Sequence, residues 1–306
     1  MQEAIVTVNL RGIIPPVITP FDVRERYDPG AMKAILDYLI ERGVHAVFVV
    51  GSVSEFYCLR LDEIKEVIRT SVRAVNGRVP VMAGTGAIST RDAVELSQYA
   101  ESVGADALSV ITPFFIKPTD EELYHHYATV ARSVRIPVLG YTNPGRAGGM
   151  TLSAGLMNRL AREFENVVGI KDSSGDVESL IRYAAVCPPG FQVFTGRDTL
   201  VVDAVIHGGA GAVAGIANFA PELLVKVYEL AVVGDITAAR GAQQRILPLR
   251  DAQTLGSFPA VIKEASAMIG LPAGPTRRPT LPLSDQARAA LRRVLVEALG
   301  ESAVVA

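Results

Sequence analysis

Val167-Val168-Gly169-Ile170-Lys171-Asp172-Ser173-Ser174-Gly175 decides how the rest of this chain is read. Its short apolar run, with two adjacent valines, has the pattern of a buried β-strand. The run ends in a lysine, and the Asp-Ser-Ser-Gly that follows has turn chemistry. A lysine at the carboxyl end of a core strand is costly, because burial disfavours its charged form. The chain has six lysines. Lys33, Lys65, Lys226 and Lys263 fall in amphipathic, helix-like stretches and Lys117 in a loop, so Lys171 alone ends an apolar strand. The stretch by itself admits two readings. One is a lysine that snorkels to solvent from the strand end; the other is an amine of depressed pKa that attacks a carbonyl and forms a Schiff base.

Similar apolar, β-branched runs recur on both sides: Ile13–Thr19, Ala46–Val50, Val79–Ala83, Ala107–Ile111, Pro137–Tyr141, Phe191–Thr195 and Gly211–Ile216. With Val167–Lys171 they repeat every ~20 to 35 residues, the rhythm of βα units around a parallel sheet. Helix signals lie between them. Asp28-Pro29-Gly30 opens Ala31–Glu41, Asp62 precedes Glu63–Val75, and Ser89-Thr90-Arg91-Asp92 resembles a capping box before Ala93–Val103. Thr119 starts Asp120–Val134 and Thr151 starts Leu152–Phe164. The alternation predicts an α/β fold, a (β/α)8 TIM barrel. No G-x-G-x-x-G follows the first strand, so an open dinucleotide-binding sheet loses its main support. Beyond Ile216 the strand signal stops, and Pro221–Val232, Asp235–Leu247, Phe258–Ile269 and Ser284–Leu299 read as helices. The expected division is a catalytic barrel over residues 1–232 and a small helical C-terminal region over 233–306, with the last six residues fraying.

Composition narrows the partners. With 306 residues, 49% of them hydrophobic, the chain can bury a large core. A net charge of −2 points to neither nucleic acid nor a membrane surface as a partner. Cys58 and Cys187 make neither a disulfide framework nor a metal cluster. Met1–Leu10 has no signal-peptide pattern and no run is long enough to span a bilayer, so a cytoplasmic protein is expected.

In such a barrel, reactive groups gather at the carboxyl ends of the strands. Those ends carry Gly51-Ser52-Val53-Ser54-Glu55, Gly84-Thr85-Gly86, Thr112-Pro113-Phe114-Phe115, Tyr141-Thr142-Asn143-Pro144-Gly145-Arg146, Lys171 and Thr195-Gly196-Arg197-Asp198. The four histidines (His45, His125, His126, His207) fall on or beside helices, so no metal site is expected. Schiff-base chemistry needs a neutral amine, a proton shuttle and a grip on the substrate's acid group. Tyr141 suits the shuttle, or packs in the core with its hydroxyl tied to backbone. Ser52 relays a proton or holds a carboxylate, or is a plain turn residue. Arg146 clamps a carboxylate with its fork, or pairs with a nearby acid. This chemistry calls for no cofactor.

At this point the residues resemble a known family. The chain is similar, over residues ~10 to 300, to the dihydrodipicolinate synthase / N-acetylneuraminate lyase superfamily of pyruvate-dependent class I aldolases. Carrying the likeness are Gly51-Ser52-Val53-Ser54-Glu55, Pro80-Val81-Met82-Ala83-Gly84-Thr85-Gly86, Thr112-Pro113-Phe114-Phe115, Tyr141 with Pro144 and Arg146, and Gly169-Ile170-Lys171, in that order. The resemblance implies that Lys171 is the Schiff-base lysine and Tyr141 the tyrosine that protonates and deprotonates the adduct. It places the pyruvate carboxylate on the backbone of Ser52 and Val53, and Arg146 on the arginine that holds the synthases' aldehyde substrate. Gly196, Arg197 and Val213 are expected to complete the substrate-binding set. It also implies a homotetramer, a dimer of dimers.

This chain departs from the family pattern in places. The strand-two motif Gly-Thr/Ser-Thr-Gly-Glu carries Val53 and Ser54 in place of the second hydroxyl and the second glycine, and Ser54 is strained if that position needs φ > 0. Phe115 stands where the synthases supply a tyrosine to a neighbouring subunit. Arg197 stands where they commonly carry an acid. The leading expectation is a lyase acting on pyruvate or 2-keto-3-deoxy acids by aldol cleavage, condensation or dehydration. The alternatives are a 4-hydroxy-tetrahydrodipicolinate synthase condensing pyruvate with aspartate semialdehyde, and a non-catalytic barrel that binds a small 2-oxo acid.

Overall fold

A computed structural model describes residue 8 and residues 10–305; most of the N-terminal stretch read for a leader lies outside them. Eight parallel strands form the barrel: β1 (Gly12–Ile14), β2 (Val47–Val49), β3 (Val81–Gly84), β4 (Ala107–Ile111), β5 (Val138–Thr142), β6 (Val167–Asp172), β7 (Gln192–Thr195) and β8 (Gly211–Val213). They are hydrogen-bonded in the order β1-β8-β7-β6-β5-β4-β3-β2. The last gap is closed by a single parallel bridge between Pro16 and Phe48, with Phe48 N–H donating to Pro15 O at 3.0 Å and Val17 N–H to Phe48 O at 2.8 Å.

β1 is shorter than Ile13–Thr19 because Pro15 and Pro16 have no N–H to give a ladder. β8 likewise stops at Val213, and Gly215–Asn218 turn as a short 3-10 segment. There Asn218 spans the gap, its Oδ1 accepting from Ile18 N–H at 3.1 Å and its Nδ2 donating to Pro16 O at 2.9 Å.

The helices between strands are α1 (Pro29–Glu41), α2 (Leu61–Val75), α3 (Thr90–Ser102), α4 (Asp120–Ser133), α5 (Ala154–Glu163), α6 (Val177–Val186) and α7 (Val201–Ile206). α8 (Pro221–Val232) follows β8 and packs on β1 and α7, closing the ring of helices. Asp28, Ser89 and Thr119 cap their helices as expected, whereas α5 is capped by Ser153 rather than Thr151. Two cores result. Leu10, Ile14, Phe48, Met82, Leu139, Phe194 and Val213 fill the barrel interior, and a larger apolar layer lies between strands and helices.

Past α8 come α9 (Ile236–Gln244), α10 (Leu247–Asp251), α11 (Ala260–Met268) and α12 (Asp285–Leu299). The helix expected over Asp235–Leu247 breaks after Gln244, and Pro248 at the start of α10 suits the first turn of a new helix. The tail does not fray over residues 301–305. Glu301–Ala303 form a 3-10 turn, Val304 is buried, and Val305 N–H donates to Met268 O at 2.8 Å. No helix is long and apolar enough to cross a membrane among the described residues.

Candidate active site

Strand register brings Lys171 and Tyr141 together. Val138 pairs with Val167 but Leu139 pairs with Gly169, so the ladder skips Val168, and beyond that irregularity Tyr141 stands opposite Lys171. Opposed residues on adjacent strands face the same side of the sheet. Lys171 Nζ lies 3.8 Å from the centroid of the Tyr141 ring and 4.7 Å from that of Phe48. Residue exposures of 4% for Lys171 and 3% for Tyr141 exclude the snorkelling lysine. Burial pushes the amine below its ordinary value, against the pull of Tyr141 and, least, of Asp198. No carboxylate forms an ion pair with it among the described residues.

The Tyr141 hydroxyl sits 3.1 Å from Ser52 Oγ and accepts from Asn143 Nδ2 at 3.0 Å. Burial pushes the phenol up, but the Lys171 charge and these hydrogen bonds outweigh it and leave the phenol below its usual range. Amine, phenol and the Ser52 hydroxyl thus stand in sequence within the barrel mouth. Such a chain can take a proton from an adduct on Lys171 and return it.

Ser52 and Val53 lie in the loop after β2, bracketed by two non-glycine residues in the left-handed region, Val50 at φ 61° and Glu55 at φ 57°. For a β-branched valine that conformation costs on the order of 1–3 kcal/mol, so the loop persists only if its surroundings hold it. They do. Ser54 Oγ donates to Val17 O at 2.5 Å and accepts from Gly51 N–H at 2.9 Å, while Thr19 Oγ1 donates to Ser54 O at 2.8 Å. Glu55 is fully buried, ion-paired to Lys263 at 2.7 Å and accepting from Arg277 N–H at 2.9 Å. The N–H groups of Ser52 and Val53 have no acceptor among the described residues. Two adjacent free N–H groups make a seat for an anion.

Above these groups opens a cavity of about 470 Å³. All of the residues singled out from the sequence line it: Ser52, Val53, Tyr141, Arg146, Lys171, Gly196, Arg197 and Val213. Arg146 stacks on Phe258, 3.5 Å from the ring centroid, and burial holds its guanidinium below its ordinary value. Gly196 is there for closeness, since a Cβ would fall 1.9 Å from Ser173 Oγ. Arg197 donates to Ser174 O at 3.3 Å and lies over Gly175, whose φ is +85°.

Sequence reading missed several lining residues. Asn143, Ser173 and Asp198 stand at or beside strand ends and were open to the same logic. Arg250, Gln253, Thr254, Phe258 and Ile262 come from the C-terminal helices, where nothing local announces a site. Both stretches expected as separate regions thus line one cavity. The histidines stay clear of it: His126 Nδ1 is 3.0 Å from Thr90 Oγ1, and His45 Nδ1 accepts from Ile13 N–H at 3.1 Å.

A profile of the dihydrodipicolinate synthetase family matches residues 9–298. The chain belongs to this family. It is therefore an enzyme of the class I aldolase and lyase type. It is 37% identical to a 4-hydroxy-tetrahydrodipicolinate synthase of Methanopyrus kandleri, across 94% of this chain and 96% of that one. A protein of the same name from Teredinibacter turnerae is 38% identical across 94% and 98%. Among solved structures it is similar to YagE, a prophage protein of the dihydrodipicolinic acid synthase family from E. coli K12 in complex with pyruvate. The two share 34% identity and a TM-score of 0.92 over 95% of this chain and 99% of that one.

The departures from the dihydrodipicolinate synthetase pattern have local explanations. Ser54 is not strained, because the left-handed positions are its neighbour Glu55 and Val50; its hydroxyl makes the two bonds that brace the loop. Val53 loses a hydroxyl but keeps its free N–H, and its side chain joins the apolar core. Phe115 is 94% exposed at φ 75° and does not line the cavity of its own chain.

Proposed function

We propose that the chain is a Schiff-base lyase acting on pyruvate or a 2-keto-3-deoxy acid, by aldol cleavage, condensation or dehydration. The observation that carries this reading is Lys171: an amine buried without a carboxylate partner among the described residues, opposed by register to a phenol, and open to a cavity. The neutral amine attacks the C2 carbonyl, water leaves, and an imine forms on Nζ. The N–H groups of Ser52 and Val53 hold the keto acid's carboxylate. Loss of a C3 proton to Tyr141 gives the enamine that adds to an aldehyde. In the cleavage direction Tyr141 takes the C4 hydroxyl proton as the C3–C4 bond breaks. In dehydration it removes the C3 proton, and the C4 hydroxyl leaves with a proton delivered through Ser52.

The second reading is the synthase proper, with pyruvate and aspartate semialdehyde as substrates. Arg146 in the cavity and the names of the relatives favour it. Against it, Val53 and Phe115 supply no hydroxyl to the proton relay. The reading also includes the family's homotetramer and a cytoplasmic location, the former supported by Phe115, an exposed aromatic on a left-handed backbone.

Pyruvate with borohydride is expected to add one reduced adduct, on Lys171, and to abolish turnover. Labelling elsewhere, or nowhere, would sink the mechanism. A coupled assay with aspartate semialdehyde separates the two readings. Synthase turnover with kcat/KM near 10⁵ M⁻¹s⁻¹, roughly the ordinary range for a native substrate, and no activity on keto-deoxy acids would select the synthase.

A further inference from the structure

The cavity holds more positive charge than a keto acid needs. On the reading above, the carboxylate beside the carbonyl is already met by the N–H groups of Ser52 and Val53, and the carbonyl by Lys171. Three guanidiniums remain, those of Arg146, Arg197 and Arg250, from three separate parts of the chain. Only two carboxylates line the cavity with them, Asp198 and Asp251. Asp198 is engaged, its Oδ1 accepting from Ile216 N–H at 2.8 Å and its Oδ2 lying 3.6 Å from Arg250 Nη1.

Arg197 makes no ion pair among the described residues, and its Nε is buried without an acceptor. Arg250 Nη1 donates to Gln253 Oε1 at 2.7 Å, which leaves Gln253 Nε2 a buried donor without a partner. Unsatisfied donors and like charges gathered in one cleft cost the folded chain free energy, and an anion that fills the cleft removes that cost. The charges also feel one another: after burial and the nearby phenols, Arg197 and Arg250 each disfavour the charge on Arg146. A planar fork that can accept no proton transfer suits binding rather than chemistry.

We propose that Arg197 and Arg250, beside Arg146, form a second anion site, so that the substrate carries a carboxylate or phosphate at the end remote from its keto acid. This rests on the Schiff-base reading of Lys171 and adds the substrate class. It gives the C-terminal helices a part in specificity, since α10 supplies Arg250 and the turn after it Gln253. The two residues bind and orient; neither takes part in proton transfer.

The test compares three 2-oxo acids of equal chain length as probes trapped on the enzyme by borohydride and read by intact mass. They are 2-oxopentanoate, 2-oxoglutarate and 2-oxo-4-phosphonobutanoate, which end in methyl, carboxylate and phosphonate. At least one anionic probe is expected to half-saturate at a concentration roughly 30-fold or more below the neutral one, a gain of the size given by one or two desolvated charge-assisted bonds. The better of the two tells carboxylate from phosphate. Arg197→Gln and Arg250→Gln are each expected to erase most of that preference, and the label still reaching Lys171 at saturating pyruvate shows that fold and amine are intact. Equal half-saturation by all three probes overturns the inference. So does an equal loss of neutral and anionic probes in the variants. Failure of pyruvate itself to label Lys171 would sink the Schiff-base reading instead, and this inference with it.

Discussion

Lys171 and Lys263 are buried to a similar degree, 4% and 2% exposed, in two regions of the molecule that share the loop after β2. Lys263, on α11, is fully engaged: Glu55 Oε1 lies 2.7 Å away, Pro275 O accepts at 2.7 Å, and the ring of Phe21 lies beneath at 4.2 Å. Among the described residues, Lys171 has only aromatic faces and the Tyr141 phenol against it, with Asp198 the weakest pull. Burial lowers both amines. What separates them is the counter-charge. With a carboxylate attached, a buried ammonium is a clamp that holds the Ser52–Val53 loop to the C-terminal segment. Without one, the cost of burial falls on the proton itself, which is what the proposed nucleophile requires.

Removing the amine at each place should give opposite results. Lys171→Met is expected to lower turnover on the order of 10⁴-fold or more and to abolish the pyruvate adduct, while stability stays level or rises. The sign follows from linkage. The folded amine titrates below its unfolded value of about 10.4, so between those pH values the unfolded chain holds more protons and stability climbs with pH. At neutral pH Lys171 therefore costs the fold, and methionine relieves that cost. A denaturation midpoint well below wild type would contradict this.

Tyr141→Phe tests what stands in for a counter-charge at Lys171. Turnover should fall ~10²- to 10⁴-fold with KM little changed, because on the proposed mechanism the phenol moves protons rather than binding substrate. A change confined to KM would make Tyr141 a packing residue.

Lys263→Met should instead cost about 3–5 kcal/mol in chemical denaturation, since it strands a buried carboxylate. Adding Glu55→Gln should recover most of the loss. Burial brings Lys263 down to about 8, below the ~10.4 of an unfolded lysine. Wild-type stability should therefore rise between those values, and the double variant should flatten that rise. Wild-type stability in Lys263→Met alone would show that the pair carries nothing.

The smallest effect is expected at the loop between the lysines. Ser54→Gly restores the family pattern but removes the hydroxyl bonds to Val17 O and Gly51 N–H. A loss of roughly 1 kcal/mol is expected, with a modest rise in KM for pyruvate. A gain in stability would mean that the serine is strained after all.

The sequence by itself determined the barrel and singled out the strand that ends in Lys171. Eight β-branched runs with capped helices between them left few other ways to bury the apolar faces, and Lys171 stood out because a charged group rarely ends such a run. Strand-end logic also reached Ser52, Tyr141, Arg146 and Arg197, since in a parallel barrel those ends meet at one mouth.

Tertiary structure alone decided the rest. Tyr141 faces Lys171 because the β5–β6 register skips Val168, a one-residue choice that no local pattern shows. Lys263 sits on an amphipathic helix and looks like a surface lysine; only the return of Glu55 from the β2 loop makes it buried and paired. Arg250 and Phe258 enter the cavity because α10 and α11 fold back over the barrel mouth, a long-range contact paid for by burial across the whole C-terminal region. Local sequence encodes which groups are costly to bury, and the packed fold decides which of them are given a partner.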